Sequence, residues 1–393
     1  MSVRGNRDGG PADRAGGGHV QGQLGPQVGA PPGGGAPVPQ AVPRYRLHGA
    51  LEMFAARDGD VYLLRGGSGP EHIIKSPGAA DRALLHELAT NGLAVDPGSD
   101  AMRRVGPLIA AGAVVREPDL SILPATDAAR FLRQLPYFED FGDPVAAQLN
   151  LRDSTVAVLG CGGLGTWGLA ALACAGVGRF VLIDDDIVEL SNLNRQVLYG
   201  VKDVGSAKVT CAARWLAGFD PSITVDAWHR RIRGPGDLAA LGDCDALLLL
   251  ADWPPYELVR WVNEASLALQ LPFVMAGQQP PLVKVGPTFK PGYGACFSCH
   301  EIRLRREFAR YDELADARIA TPPPATTLGP ASALIGSVLA LEVLHLLLGV
   351  WPVATHDRVF LLDIRTLELR SEAVAREAEC SACRARGTDD VDG

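Results

Sequence analysis

Between residues 184 and 208 the chain gathers carboxylates, amides, a hydroxyl, a guanidinium and an ammonium: Asp184, Asp186, Ser191, Asn192, Arg195, Gln196 and Lys208. Asp252 follows further on. Just upstream, VAVLGCGGLGTWGLA (156–170) runs from an apolar stretch into Gly160, Gly162, Gly163 and Gly165. Glycines in this G-x-G-x-x-G pattern allow a tight turn, let backbone N–H groups approach a phosphate and let the next helix pack on the strand. An acid after the second strand, here Asp184, suits ribose hydroxyls. To this point a dehydrogenase fits as well as an enzyme that splits ATP. The cations decide. Hydride transfer has no use for a guanidinium and an ammonium converging on phosphates. Nucleotidyl transfer does, because negative charge builds on the α-phosphate and the departing pyrophosphate. Asp252 ends the strand DALLLLAD at the carboxyl edge of the sheet, where open α/β sheets bind ligands. A carboxylate there can hold Mg2+ against a triphosphate. ATP and Mg2+ are the expected cofactors.

The chain has eight cysteines. Cys161, Cys174, Cys211 and Cys244 stand singly among apolar or small neighbours and read as packing. The others form two C-x-x-C pairs, Cys296/Cys299 and Cys380/Cys383. No apolar segment follows the N-terminus, so no signal peptide is expected, the chain is placed in the cytoplasm and a disulfide framework is disfavoured. Four thiolates suit a tetrahedral structural Zn2+ with no open position for catalysis. His300 is not required as a ligand.

The elements that must position these groups follow from the chain's patterning. Residues 1–44 hold 12 glycines and 7 prolines without apolar periodicity and read as a disordered tail. Residues 45–122 give three short strands (RLHGALEMFAA, DGDVYLLRGG, EHIIKSP). Two helices follow, one over AADRALLHELATNG and one entered through Ser99 or Asp100, describing a small α+β, winged-helix-like domain. A bridging helix, TDAARFLRQLPYFEDFG, opens the third segment, 123–393. There TVAVLG, a helix over 163–176, RFVLIDDD, a helix over about 205–218, ITVDAW and DALLLLAD alternate as in a doubly wound, mainly parallel Rossmann-like sheet, extended by LPFVMAG and LVKVGPTF. Residues 300–328 read as a long irregular crossover. The apolar run 330–350 is interrupted by Ser332, Ser337, Glu342 and His345, so it reads as a core or dimer-interface helix rather than a membrane span. A net charge of −8 argues against nucleic acid or anionic membrane as partners.

With GCGGLG, DDDIVELSNLNRQ, GSAK, LADW and the paired C-x-x-C in hand, residues 125–385 resemble the ThiF/MoeB/HesA family of ubiquitin-activating-like adenylyltransferases. The resemblance implies that Asp184 holds the ribose, that Asn192, Arg195 and Lys208 contact phosphates, and that Asp252 binds magnesium. The family's R-Y-x-R-Q motif is matched by RFLRQ (130–134), which implies a homodimer with Arg133 acting on the partner's ATP. One departure stands out: Trp253-Pro254-Pro255 follows Asp252, where sulfur-carrier activators usually have Asn.

Some members pass the adenylate to a cysteine in the crossover. This chain has no cysteine between Cys299 and Cys380, so no enzyme thioester is expected. The module at 45–122 is similar to the peptide-recognition domains of ribosomal-peptide modifying enzymes, which bind a leader or precursor peptide as an added strand. LLLLADWPPYELVRWVNEA and KPGYGACFSCHE most resemble the branch that adenylates the C-terminus of a microcin C-type precursor peptide. The leading expectation is ATP-dependent adenylation of a precursor peptide's C-terminal carboxylate. The alternatives are activation of a ubiquitin-like sulfur carrier, and a non-catalytic leader-binding partner of a cyclodehydratase.

Overall fold

The computed structural model describes residues 3–5, 42–66, 69–321 and 326–384; most of the expected tail lies outside the described residues. The chain forms two compact units, Met1–Val145 and Ala146–Gly393.

The first unit contains β1 (Val3–Gly5), β2 (Arg44–Leu47), β3 (Glu52–Ala55), β4 (Val61–Leu64), β5 (Pro70–Ile74), α1 (Ala79–Thr90), β6 (Leu93–Ala94), α2 (Asp100–Ala110) and β7 (Val114–Arg116). It makes two antiparallel sheets, ordered β1-β5-β4-β3 and β6-β2-β7. Alternation in β4 sends Val61 and Leu63 into a core with Ile74, Leu85, Leu88, Val105 and Leu108. α2 starts as expected at Ser99, whose hydroxyl accepts the Met102 N–H at 3.1 Å. The single bridging helix is a correction. The structure breaks it into α3 (Ala125–Phe131) and α4 (Leu135–Phe138), because Pro136 lacks the N–H that a continuous helix needs. The unit also runs past the boundary expected at 122/123. Asp140 ion-pairs with Arg65 at 2.8 Å and Glu139 accepts the Gly49 N–H at 2.9 Å, tying this segment to the sheets. The division from the second unit falls inside α5 (Pro144–Asp153).

The second unit is built on β8 (Thr155–Leu159), α6 (Gly163–Ala175), β9 (Arg179–Ile183), α7 (Lys208–Phe219), β10 (Thr224–Trp228), β11 (Ala246–Leu249), α8 (Glu257–Leu269), β12 (Phe273–Gln279) and β13 (Leu282–Phe289). There follow α9 (Phe297–Glu307), α10 (Tyr311–Ala320), α11 (Gly329–Leu347), β14 (Arg358–Asp363), β15 (Glu368–Ala373) and α12 (Ser381–Arg384). One eight-stranded sheet has the order β10-β9-β8-β11-β12-β13-β14-β15. Its pairings are parallel from β10 to β12 and antiparallel from β12 onward. β8 and β11 are buried almost throughout, which is why they read as continuous apolar runs rather than alternating ones. The order reverses between β8 and β11, placing the crevice of an open α/β sheet beside the glycine-rich turn.

The irregular crossover expected over 300–328 is a second correction. α9 and α10 occupy 297–320, since neither Gly nor Pro interrupts that stretch. α11, long and apolar enough to cross a membrane, has 56 % of its apolar window buried inside the protein. It crosses α6 closely: a Cβ at Gly336 would stand 2.6 Å from the Trp167 Cβ.

Candidate functional site

The turn after β8 is where the chain's chemistry converges. Gly160 has φ +106, and a Cβ there would meet the Ala251 nitrogen at 2.4 Å, so only glycine fits. Ala251 is held in place because its N–H and that of Leu250 both donate to the Leu159 carbonyl at 2.8 Å. Asp252, the next residue, therefore emerges beside the turn. A Cβ at Gly165 would stand 2.0 Å from the Gly160 carbonyl oxygen, which lets the first turn of α6 lie directly on the loop. The N-terminal N–H groups of α6 have no side-chain cap, and with the helix dipole they form a ready cradle for phosphate.

Asp184, at the end of β9, accepts the Cys161 N–H at 2.6 Å and the Asp186 N–H at 2.8 Å. Its carboxylate thus locks the glycine turn to the second strand. Burial pushes the Asp184 carboxyl above its ordinary value, against the opposing pull of the Lys208 ammonium and the two N–H donors. Lys208, buried at the start of α7, pairs with Asp186 at 2.6 Å. Arg195 is half-buried with its stem against Gly163, and it donates to the Ser191 carbonyl and Asn194 Oδ1, each at 2.9 Å. No carboxylate pairs with Arg195 among the described residues, so its charge is available to an anion. Gln196 is 3 % exposed, and its Oε1 is buried without a partner among the described residues. Such an orphaned atom beside Gly162 suits a ligand donor.

Asn192 and Ser191 are engaged within their own turn. Asn192 Oδ1 accepts the Glu189 N–H at 3.0 Å, and the Ser191 hydroxyl donates to Glu189 at 3.1 Å. Asp252 is exposed and its carboxylate is unpaired among the described residues, the state a hard cation requires of a ligand. Arg133 lies in the first unit, exposed in the turn after α3.

Sequence reading missed three contributors. Tyr199 is buried and its hydroxyl donates to the Cys161 carbonyl at 2.9 Å, bracing the turn from below; burial pushes its phenol far up. Ser332 and Gln278 hydrogen-bond to each other at 3.1 Å, and Ser332 Oγ would stand 3.0 Å from a Cβ on Gly163. No motif marks these residues; the loop between β9 and α7 carries Tyr199 to the turn, α11 brings Ser332 there, and β12 brings Gln278 against Ser332.

Cys296, Cys299, Cys380 and Cys383 are buried, with ligand atoms all within 4.8 Å of one another. The Sγ–Sγ separations are 3.9 Å for 296–299, 3.7 Å for 296–380 and 3.5 Å for 299–383. Four sulfurs at about 2.3 Å from one Zn2+ stand roughly 3.8 Å apart at a tetrahedron's corners, so the set fits that ion. Each pair straddles a helix start, α9 or α12, where the dipole favours thiolate. Hydrogen bonds from Cys296 and Cys383 hold the Cys299 thiol well below its ordinary range. The cluster joins the hydrophobic core of β11, β12 and β13 and ties Cys380 and Cys383 to it.

A model of the ThiF family matches residues 131–384. The sulfur carrier protein ThiS adenylyltransferase of Escherichia coli K12 is 31% identical over 268 residues, 67% of this chain and 98% of that protein. Among solved structures, E. coli MccB with ATP matches with TM-score 0.69 at 22% identity, covering 86% of this chain and 99% of that one. The microcin C7 biosynthetic enzyme MccB in complex with N-formylated MccA matches with TM-score 0.68, at the same identity and coverage. At that identity the likeness is one of fold. With the glycine turn, the Asp184 lock, the unpaired Arg195 and the four-cysteine cluster, these matches lead to one conclusion: the chain belongs to the ThiF family and is an enzyme of the nucleotidyltransferase class.

Proposed function

We propose that this enzyme adenylates the C-terminal carboxylate of a ribosomally made precursor peptide, in the biosynthesis of a modified peptide. One carboxylate oxygen attacks the α-phosphorus of ATP in line with the departing group. The bond to the bridging oxygen breaks, pyrophosphate leaves, and an acyl–AMP anhydride remains. Gly160, Gly162, Gly163 and Gly165 with the α6 N-terminus cradle the phosphates, and Asp184 takes the ribose hydroxyls. Arg195 and Lys208 draw off charge from the α-phosphate and pyrophosphate; Asn192, Ser191 and Gln196 line the nucleotide, and Asp186 holds the Lys208 ammonium beside it. Asp252 would hold Mg2+, which would supply positive charge against the triphosphate. In a homodimer, Arg133 reaches the partner's nucleotide.

The observation that carries the reading is the unpaired Arg195 and Asp252 flanking one glycine turn, in a chain that adds a separate compact unit of antiparallel sheets. Such sheets take an extended peptide as an extra strand. The likeness in fold to MccB bound to N-formylated MccA supports the same substrate class. No thioester is proposed: Cys161 is fully buried, with its thiol pushed well up, and Cys296, Cys299, Cys380 and Cys383 form a buried four-thiol set that would hold Zn2+. The setting proposed is the cytoplasm, with no nucleic acid or membrane partner.

A second reading, activation of a ubiquitin-like sulfur carrier, is favoured by the ThiS adenylyltransferase relative. Exchange of labelled pyrophosphate into ATP separates the two. Exchange that requires a peptide with a free C-terminal carboxylate, and stops when that carboxylate is amidated, is the expected result. Exchange with a Gly-Gly-ending carrier alone would establish the second reading, and none with either would leave a peptide-binding partner.

A further inference from the structure

The segment between Asp252 and α8 is held in an unusual way. Tyr256 caps α8 with φ +64 and ψ −42, a conformation L-residues rarely adopt and one that persists only where the surroundings enforce it. Two contacts from α10 supply that enforcement. Arg318 Nη1 donates to the Tyr256 hydroxyl at 2.9 Å, and the Tyr311 ring meets the Tyr256 ring edge-on at 5.7 Å and 88°. α10 is itself anchored, since the Tyr311 hydroxyl donates to the buried Glu301 at 3.1 Å. Glu301 in turn takes the Arg260 guanidinium through both oxygens, at 2.8–3.1 Å. Arg260 stands one turn into α8, and its N–H points back at the Tyr256 carbonyl at 3.3 Å. The loop that carries Asp252 is therefore fixed at two ends. One is the bond from Ala251 to the Leu159 carbonyl; the other is Tyr256 in a closed ring of contacts from α8, α9 and α10.

We propose that Tyr256 and Arg318 are positioning residues that hold the Asp252 carboxylate at the edge of the glycine turn for a nucleotide-bound divalent cation. The inference rests on the proposed role of Asp252. A free carboxylate on a loop binds a hard cation weakly, whereas one held in place loses less freedom on binding. The Tyr256 hydroxyl is taken by Arg318 and its ring packs on Tyr311, so the effect should appear in metal affinity rather than in nucleotide affinity.

Mn2+ bound in the presence of α,β-methylene-ATP, followed by electron paramagnetic resonance, reads that affinity without turnover. Tyr256→Phe removes only the hydroxyl. It should weaken Mn2+ binding about five- to tenfold while leaving metal-free affinity for the analogue and the melting temperature unchanged. Arg318→Ala should do the same, Arg318→Lys should recover part of the loss, and the double variant should lose no more than either single one. Asp252→Asn should abolish tight Mn2+ binding. Wild-type Mn2+ affinity in Tyr256→Phe, with Asp252→Asn defective, would overturn the positioning role. Unchanged Mn2+ affinity in Asp252→Asn would show that Asp252 does not bind the metal, and the positioning role falls with it.

Discussion

A single methyl group added at Gly165 should separate the two jobs of the glycine turn. Its Cβ would stand 2.0 Å from the Gly160 carbonyl oxygen and 3.0 Å from the carbonyl carbon. Both partners are backbone, one in a turn fixed by φ +106 and the other in α6, so no side chain can swing aside. Reaching an ordinary separation of about 3.4 Å requires α6 to retreat roughly 1.4 Å. Overpacking of this kind costs about 1–3 kcal/mol, and the rigid partners put Gly165→Ala near the upper end, at about 2–3 kcal/mol. A unit of this size loses about 2–4 °C of melting temperature per kcal/mol, so a fall of roughly 4–12 °C is expected. Gly162→Ala is the matched control. Its Cβ would meet only Gln196 Nε2, at 3.9 Å, and its φ of −84 is open to any residue. Stability should drop by less than about 1 kcal/mol, while ATP affinity falls because the methyl occupies the phosphate's approach. Calorimetric melting and titration with an ATP analogue read the two effects. Wild-type melting of Gly165→Ala, or equal losses in both variants, would refute the reasoning.

Further outcomes follow from the same geometry. Arg195→Ala and Asp252→Ala should each lower pyrophosphate exchange by about 10²–10³-fold with melting unchanged, because neither side chain supports the core; exchange at wild-type rates would remove them from the site. Cys383→Ser should lose zinc by elemental analysis and melt far below wild type, since structural zinc supplies about 10–16 kcal/mol in small domains. A metal-free chain of native stability would contradict that. Iodoacetamide on the folded protein should modify Cys174, which is exposed, and spare Cys161, which is fully buried. A thiol-sensitive peptide adduct would instead point to a thioester.

What the sequence carried well were features written in local pattern. The burial of β8 and β11 on both sides makes them apolar runs, and the glycines at 160 and 165 report backbone approaches closer than a Cβ fits without a shift. The C-x-x-C pairs also announced themselves, because four thiols with no oxidising context have few other uses. Pattern failed where a distant contact does the work. Pro136 splits the bridging helix, yet its neighbours keep helical periodicity. α9 and α10 are polar enough to read as crossover, and they are held by the Glu301 pairing that only the fold assembles. Ser332 looked like an interruption in an apolar helix, and its place beside Gly163 depends on the close crossing of α11 and α6. Tyr199 and Gln278 carry no spacing signature at all.

The most direct test follows the carboxylate oxygen. A precursor peptide labelled with 18O in its C-terminal carboxylate is incubated with the enzyme, ATP and Mg2+, and the AMP released on hydrolysis of the product at its acyl carbon is weighed. Attack of the carboxylate on the α-phosphorus should leave one labelled oxygen on the AMP phosphate. Unlabelled AMP, formed with the peptide bound, would contradict adenylation of the peptide's carboxylate.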